Sequence, residues 1–316
     1  MENICTNDIV MTSDGNTELM VVSIIRMSIH NGPGFRTLVL MKGCPLVCLW
    51  CSTPESQSPD FEIGFDEQKC IACSKCVFEC MKKGITLREE KPVINREICV
   101  SCASCTQKCN SKAIYRIGKK YKNSEMLHEL LKDRVFYKNS GGGIVFSGGE
   151  PLIQADKIMW LLEELSKEKI SVAFDTTGHV NKKIIEGVLT YTDFFLWDIK
   201  HMDTVEHKKL TGVGNDLILS NLVFVSNKGI PVYLRYPMIP GLNDSDDNLR
   251  TLCEFATTLK SLVRLDLLPI HHLGRVRYRN LGRKYPLEGY QLISDDVMKK
   301  RKEIVESYGL KCTIGG

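Results

Sequence analysis

Two stretches, CIACSKCVFEC at 70–80 and CVSCASCTQKC at 99–109, repeat the spacing C-x2-C-x2-C-x3-C about thirty residues apart, and this is the one internal repeat of the chain. Three cysteines at intervals of three wrap a tight loop around an iron–sulfur cube, while a fourth on the following turn points away and reaches a second cube. Crossed ligation follows: Cys70, Cys73, Cys76 and Cys109 for one [4Fe–4S] cluster, and Cys99, Cys102, Cys105 and Cys80 for the other. A proline often follows the fourth cysteine of such runs; here Met81 and Asn110 do, and that place is a loop device, not a ligand. A pair of zinc knuckles is the alternative, although zinc modules usually set a longer gap between their C-x2-C pairs.

A third group, Cys44, Cys48 and Cys51 in GCPLVCLWC at 43–51, has no fourth cysteine nearby. A structural zinc site and an ordinary cube both take four ligands, so this loop leaves one place open. Fourteen cysteines among 316 residues point to metal or redox chemistry in a reducing compartment, where disulfides are rare. The first sixteen residues are polar and carry no basic-then-apolar signal, and nowhere do eighteen apolar residues run together. A cytosolic protein is expected. A net charge of +4 argues for neither a nucleic-acid nor a membrane partner, and the basic patches at 299–303 and 275–283 read as solvated faces. Cys5, Cys253 and Cys312 lie outside every motif and read as buried small hydrophobes.

Elsewhere apolar strands at 18–27, 36–43, 142–149, 170–178, 193–200, 230–238 and 262–270 alternate with helix-period segments at 124–139, 154–169, 181–191, 203–212 and 245–261. Strands alternating with helices imply a parallel sheet, and six or so units suggest a full or partial barrel. The cysteine-rich piece, 61–118, reads as a bacterial ferredoxin-like insertion after the first unit. The division is then a tail at 1–20, the first part of the barrel with the cysteine loop at 21–60, the insertion, and the remainder at 119–316.

Barrels place their chemistry on loops at the C-terminal ends of the strands. The cysteine loop, Glu150, Asp175 with Thr176, Asp198 with Lys200, Arg235 and His271 all follow strands in this way. Six strand ends would share one mouth.

C-x3-C-x2-C with Trp50 before its last cysteine, followed by Gly-Gly-Glu-Pro, resembles the radical S-adenosylmethionine (SAM) enzymes. More narrowly, SIHNGPGFRTLVLMKGCPLVCLWCSTPESQ at 28–57 is similar to the signature of glycyl-radical-enzyme activating enzymes. SGGEPL (147–152), DTTG (175–178), DIKHMD (198–203), RYPMIPGLND (235–244) and LLPIHHLGRVRYRNLGRKYPL (268–287) continue the likeness. The resemblance implies a partial (β/α)6-type radical SAM barrel. In this family three thiolates hold three irons of a cube and SAM chelates the fourth; reductive cleavage gives methionine and a 5′-deoxyadenosyl radical, which takes a hydrogen from a glycine of a partner protein.

Residue by residue, the resemblance implies that Ser147, Gly148, Gly149 and Glu150 line the SAM amino group, although a strand-to-helix turn is the plain reading of the same residues. Lys200 and His271 would contact SAM, with Arg235 either joining them or satisfying a rim carboxylate. Asp175, Thr176 and Asp198 match positions that hold a monovalent cation, and helix capping explains a lone aspartate as well. Trp50 would pack on the adenine or simply lie inside. His272 adjoins His271, and sequence does not choose between them. Asn31 stands where the family commonly has aspartate, which alters a contact near the target glycine but not cluster or SAM binding.

Three [4Fe–4S] clusters and SAM are therefore the expected cofactors, with a large glycyl radical enzyme as protein substrate and a flavodoxin or ferredoxin as donor. A monomer in an anaerobic host is expected. The insertion serves as an electron wire, or docks the partner, or is structural. Rival readings are a radical SAM enzyme acting on another peptide or small molecule, and a non-catalytic iron–sulfur carrier with a degraded third site.

Overall fold

The computed structural model describes residues 12–315, so Cys5 lies outside the described residues. β1 (Glu18–Ser28) and β2 (Arg36–Met41) pair antiparallel. The chain then leaves the main sheet for a small module of β3 (Glu62–Phe65), α1 (Lys75–Glu79), β4 (Ile85–Arg88), β5 (Lys91–Ile94), α2 (Ser104–Gln107) and β6 (Ile114–Ile117). In it β3 pairs with β6 and β4 with β5, both antiparallel. β7 (Lys119–Lys122) returns to lie beside β1, and α3 (Asn123–Leu131) and α4 (Arg134–Ser140) lead into β8 (Gly143–Gly148). Strand and helix then alternate through α5 (Ala155–Lys167), β9 (Ser171–Thr176), α6 (Lys182–Val188), β10 (Phe194–Asp198), α7 (Thr204–Thr211) and α8 (Asp216–Asn227). The chain ends with β11 (Val232–Met238), α9 (Asp246–Thr257), β12 (Leu262–Pro269), α10 (Gly274–Asn280), α11 (Asp295–Ser307) and β13 (Cys312–Ile314).

The main sheet runs β13-β12-β11-β10-β9-β8-β2-β1-β7. Its pairs from β2 to β13 are all parallel, whereas β1 and β7 are antiparallel. The strands from β2 through β12 lie in chain order, so their C-terminal ends share one edge. β7 and β13 sit at opposite ends, and the sheet is open. Both faces of the central strands are buried, as a parallel sheet requires: Val39, Ile144, Phe146 and Phe174 pack on one side, and Leu38, Leu40, Val145 and Ala173 on the other. Among the described residues no helix is long and apolar enough to cross a membrane.

The seven strands read from the sequence all form, but outside the cysteine-rich module the helices differ in four places, one of them α10, which forms where only a basic patch was read. The segment 124–139 breaks between α3 and α4, where the buried Asp133 carboxylate accepts from Thr37 Oγ1 at 2.7 Å and pairs with Arg26. Long-range contacts to β1 and β2 thus override the local period. Helix α8 is apolar on most of its circumference, which blurs a 3.6-residue pattern. Its buried Asn221 donates to the carbonyls of Gly178 and Val180, each at 2.8 Å. Helix α11 carries the basic run 299–303 and buries only Met298 and Val305, so its stripe is too thin to read.

Ion pairs join the cysteine-rich module to the main sheet. The fully buried Lys42 Nζ donates to the Glu55 carbonyl at 2.7 Å and pairs with Glu62 at 3.1 Å. Glu62 also takes Arg283 at 2.6 Å, while Arg277 pairs with Glu55. The basic stretch at 275–283 is therefore not a simple solvated face: two of its arginines hold the chain that descends from the cysteine loop. Arg301, in the other patch, pairs with Asp246. Buried Cys253 and Cys312 pack in the main core.

Candidate active site

Cys44, Cys48 and Cys51 sit on the loop leaving the C-terminal end of β2. Backbone bonds from Gly43 to Ser56 (2.7 Å) and from Cys44 to Gln57 (2.9 Å) close its base. Burial pushes the Cys48 thiol up to about 12, with the Lys200 charge opposing and Cys51 adding to the rise. Cys44 is raised by burial first and then by Glu150, Cys48 and Cys51; burial also raises Cys51. Three thiols on one short loop that all resist ionisation are an unfavourable set by themselves. A bound metal reverses this, because it takes the deprotonated form. Among the described residues no three His, Cys, Asp or Glu side chains gather around a single-ion site. A cube differs in this respect, since each thiolate holds a different iron.

Helix α7 sets the shape of this loop. The amides of Val47 and Leu49 donate to the carbonyls of Thr211 (2.7 Å) and Leu210 (3.0 Å), so the cysteine loop satisfies the last turn of the helix. Gly212 ends it in the left-handed region at φ +88°, and a Cβ there would meet Val47 Cγ2 at 2.7 Å. Behind the turn the buried His207 Nδ1 bonds the Val213 carbonyl at 2.7 Å. Gly212→Val is expected to combine backbone strain of about 1–3 kcal/mol with displacement of Val47. The check is iron content at the three-cysteine loop by electron paramagnetic resonance, which should fall while the overall fold by circular dichroism persists.

Around the loop the strand ends bring together most of the polar residues singled out in the sequence. Ser147 Oγ donates to Asp175 Oδ2 at 2.8 Å, Arg235 pairs with Asp175 at 3.2 Å, and Lys200 pairs with Asp198 at 3.2 Å. Burial raises the Asp175 carboxyl against the pull of Arg235, which pairs with its Oδ1 while Ser147 holds Oδ2. Burial works against charge on Lys200, but Asp198 and Cys48 outweigh it and hold the ammonium above its ordinary value. Two cations and two carboxylates thus face one another beside the thiols.

The two glycines have a structural reason of their own. A Cβ on Gly148 would meet Met41 N at 2.5 Å, and one on Gly149 would meet the Gly43 carbonyl oxygen at 2.1 Å. Their backbones run against the strand that carries the cysteines, with Gly149 N–H donating to Met41 at 3.0 Å and Glu150 N–H to Gly43 at 2.8 Å. Glu150 is buried and accepts from Leu152 N–H, from the Thr176 hydroxyl, and from both the amide and hydroxyl of Thr177. Thr177 was given no role in the sequence, although it lies within the DTTG stretch at 175–178. Trp50 packs beside Ile239, Ile270 and Tyr278, with its buried Nε1 unpartnered. His272 bonds Tyr285 Oη (3.1 Å) and the Tyr290 carbonyl (2.9 Å), whereas His271 is exposed. Asn31 is buried and accepts from Ser28 Oγ at 2.8 Å.

In the module, Cys70, Cys73, Cys76 and Cys109 line one cavity. Burial raises the Cys105 thiol to about 11, and the charges of Cys99, Cys102, Cys80 and Cys76 add to the rise. The two runs follow the same backbone course, with left-handed φ at Ala72 and Ser74 in the first and at Ser101 and Ala103 in the second.

Residues 38–253 match the radical SAM superfamily. The chain is 37% identical over 303 residues to the choline trimethylamine-lyase activating enzyme of Oleidesulfovibrio alaskensis, covering 93% of this chain and 97% of that protein. It is 38% identical over 300 residues to the trans-4-hydroxy-L-proline dehydratase activating enzyme of Clostridioides difficile, covering 94% and 99%. Among solved structures, a radical SAM methyltransferase from Sphaerobacter thermophilus is similar with a TM-score of 0.54 at 14% identity, covering 88% of this chain and 66% of that one. At that identity the likeness concerns the fold alone.

Proposed function

This chain belongs to the radical SAM superfamily, and from that premise we propose that it is the activating enzyme of a glycyl radical enzyme. The observation that carries the reading is the three-thiol loop at the end of β2, facing the charged ends of β8, β9, β10 and β11. Three half-buried thiols with no fourth, beside two cations and two carboxylates, fit a cube with one iron left for an amino-acid chelate. When bound, the cluster and SAM supply a 5′-deoxyadenosyl radical by one-electron cleavage, giving methionine and, after hydrogen abstraction from the partner's glycine, 5′-deoxyadenosine.

The chain's own residues would divide the work as follows. Cys44, Cys48 and Cys51 would hold three irons. The Ser147–Glu150 backbone would receive the amino group, with Lys200 and Arg235 balancing the carboxylate. Asp175, Thr176 and Asp198 would hold a monovalent cation, with Ser147 orienting the first of them. His271 is the better candidate of the histidine pair, because both ring nitrogens of His272 are engaged. Trp50 would shield the adenine side while packing inward. Cys70, Cys73, Cys76 and Cys109, and Cys99, Cys102, Cys105 and Cys80, would hold two further [4Fe–4S] clusters, making three. The protein would act as a cytoplasmic monomer, fed by a flavodoxin or ferredoxin.

The test is activation itself. Anaerobically reconstituted protein, given SAM, reduced flavodoxin and a glycyl radical enzyme, should form 5′-deoxyadenosine together with a glycyl radical signal. Deoxyadenosine without that signal on any such partner would point to another substrate. Cys73→Ala with Cys102→Ala, in the same assay, should slow activation and leave partner binding intact; undiminished activation would remove the wire.

A further inference from the structure

The two halves of the cysteine-rich module share their backbone course, left-handed residues recurring again at Lys83 and Lys112. At two equivalent positions the side chains differ in kind: Phe78 and Met81 stand where the second half has Gln107 and Asn110. All four positions are exposed, Phe78 at 87% and Met81 at 95%. The fold evidently accepts polar residues there, so packing does not account for the apolar pair. Lone exposed apolar residues are ordinary, but a nearly bare phenylalanine close in sequence to a nearly bare methionine is not. Exposed Lys75, Lys82 and Lys83 flank them, and the acid of this stretch, Glu79, is only half exposed. The stretch also runs from Cys76, in one cysteine set, to Cys80, in the other.

We infer that this corner, from Lys75 to Lys83, is the docking surface for an acidic one-electron carrier protein; the inference rests on the activating-enzyme reading with its cluster-bearing module. An apolar centre with a charged rim is the anatomy of a protein interface, and small contact areas are typical of redox encounters. Complementary charge raises the rate of such encounters and selects the partner. The cationic rim therefore picks an acidic carrier. In the step itself one electron leaves the carrier and enters the module, with no bond made and no proton moved.

The experiment uses the cluster-loaded protein and an acidic flavodoxin. Phe78→Gln with Met81→Asn installs the side chains that the second half already tolerates. It should weaken flavodoxin binding by calorimetry about tenfold and slow module reduction in stopped flow by a similar factor. Lys82→Glu with Lys83→Glu should do the same and flatten the salt dependence. Iron content, reduction by dithionite and dithionite-driven 5′-deoxyadenosine formation should not change. Unchanged flavodoxin affinity and rate in both variants would overturn the inference. So would loss of glycine activation under dithionite, which would give the corner to the glycyl radical partner. If the parent protein makes no deoxyadenosine under dithionite, the activating-enzyme reading fails, whatever flavodoxin binding shows.

Discussion

Cys48→Ala should abolish 5′-deoxyadenosine formation under dithionite and lower the iron content from about twelve to about eight per chain. The argument turns on ligand number. A cube in the module keeps four thiolates, whereas the loop has three and nothing in reserve, so one lost thiolate leaves two. Cys48 is the sharpest choice because its thiol feels the charges of both Lys200 and Asp198. Iron loss and activity loss should arrive together. Activity lost with full iron retained would mean that the loop holds no cluster. Equal deoxyadenosine from parent and variant would move the initiating chemistry elsewhere, and none from either, with full iron, would favour the electron-carrier reading.

What the sequence made legible here was local. Cysteine spacing is a property of a few residues, and so is the alternation that marks β2 and β8 to β12. Long-range contacts were not legible. Lys42, Glu55, Glu62, Arg277 and Arg283 form one buried-to-surface ion network across more than two hundred positions, and each alone reads as a solvated charge. The turn after α7 is a similar case. Gly212 looks like an ordinary helix end, and only the fold places Val47 against it. Gly148 and Gly149 were read for ligand approach, yet Met41 and Gly43 already forbid a Cβ there. The histidine pair shows the same limit from the other side: adjacent in sequence, they are separated only by the partners that Tyr285 and Tyr290 give to His272.

Glu150→Gln should destabilise the protein by about 3 kcal/mol although the substitution keeps shape and volume. Every partner the structure gives this carboxylate is a donor: Leu152 N–H and the Thr176 hydroxyl on Oε1, and the Thr177 amide and hydroxyl on Oε2. Burial raises the Glu150 pKa, and these four bonds oppose it. A protonated carboxyl would aim its own hydrogen at one of those donors, so the pocket suits the ionised form. Glutamine fails for the same reason, since its amide group would face donors on one side. Thr177→Val, which removes one hydroxyl donor and leaves the amide, should lose only about 1 kcal/mol. Anaerobic thermal melts of the cluster-loaded proteins give the comparison. A glutamine variant that melts with the parent would mean that the carboxylate is not ionised in the fold. Because three of these bonds, from Thr176 and Thr177, tie the β8 loop to the end of β9, the glutamine variant should also bind SAM more weakly, and the threonine variant should do so to a smaller degree.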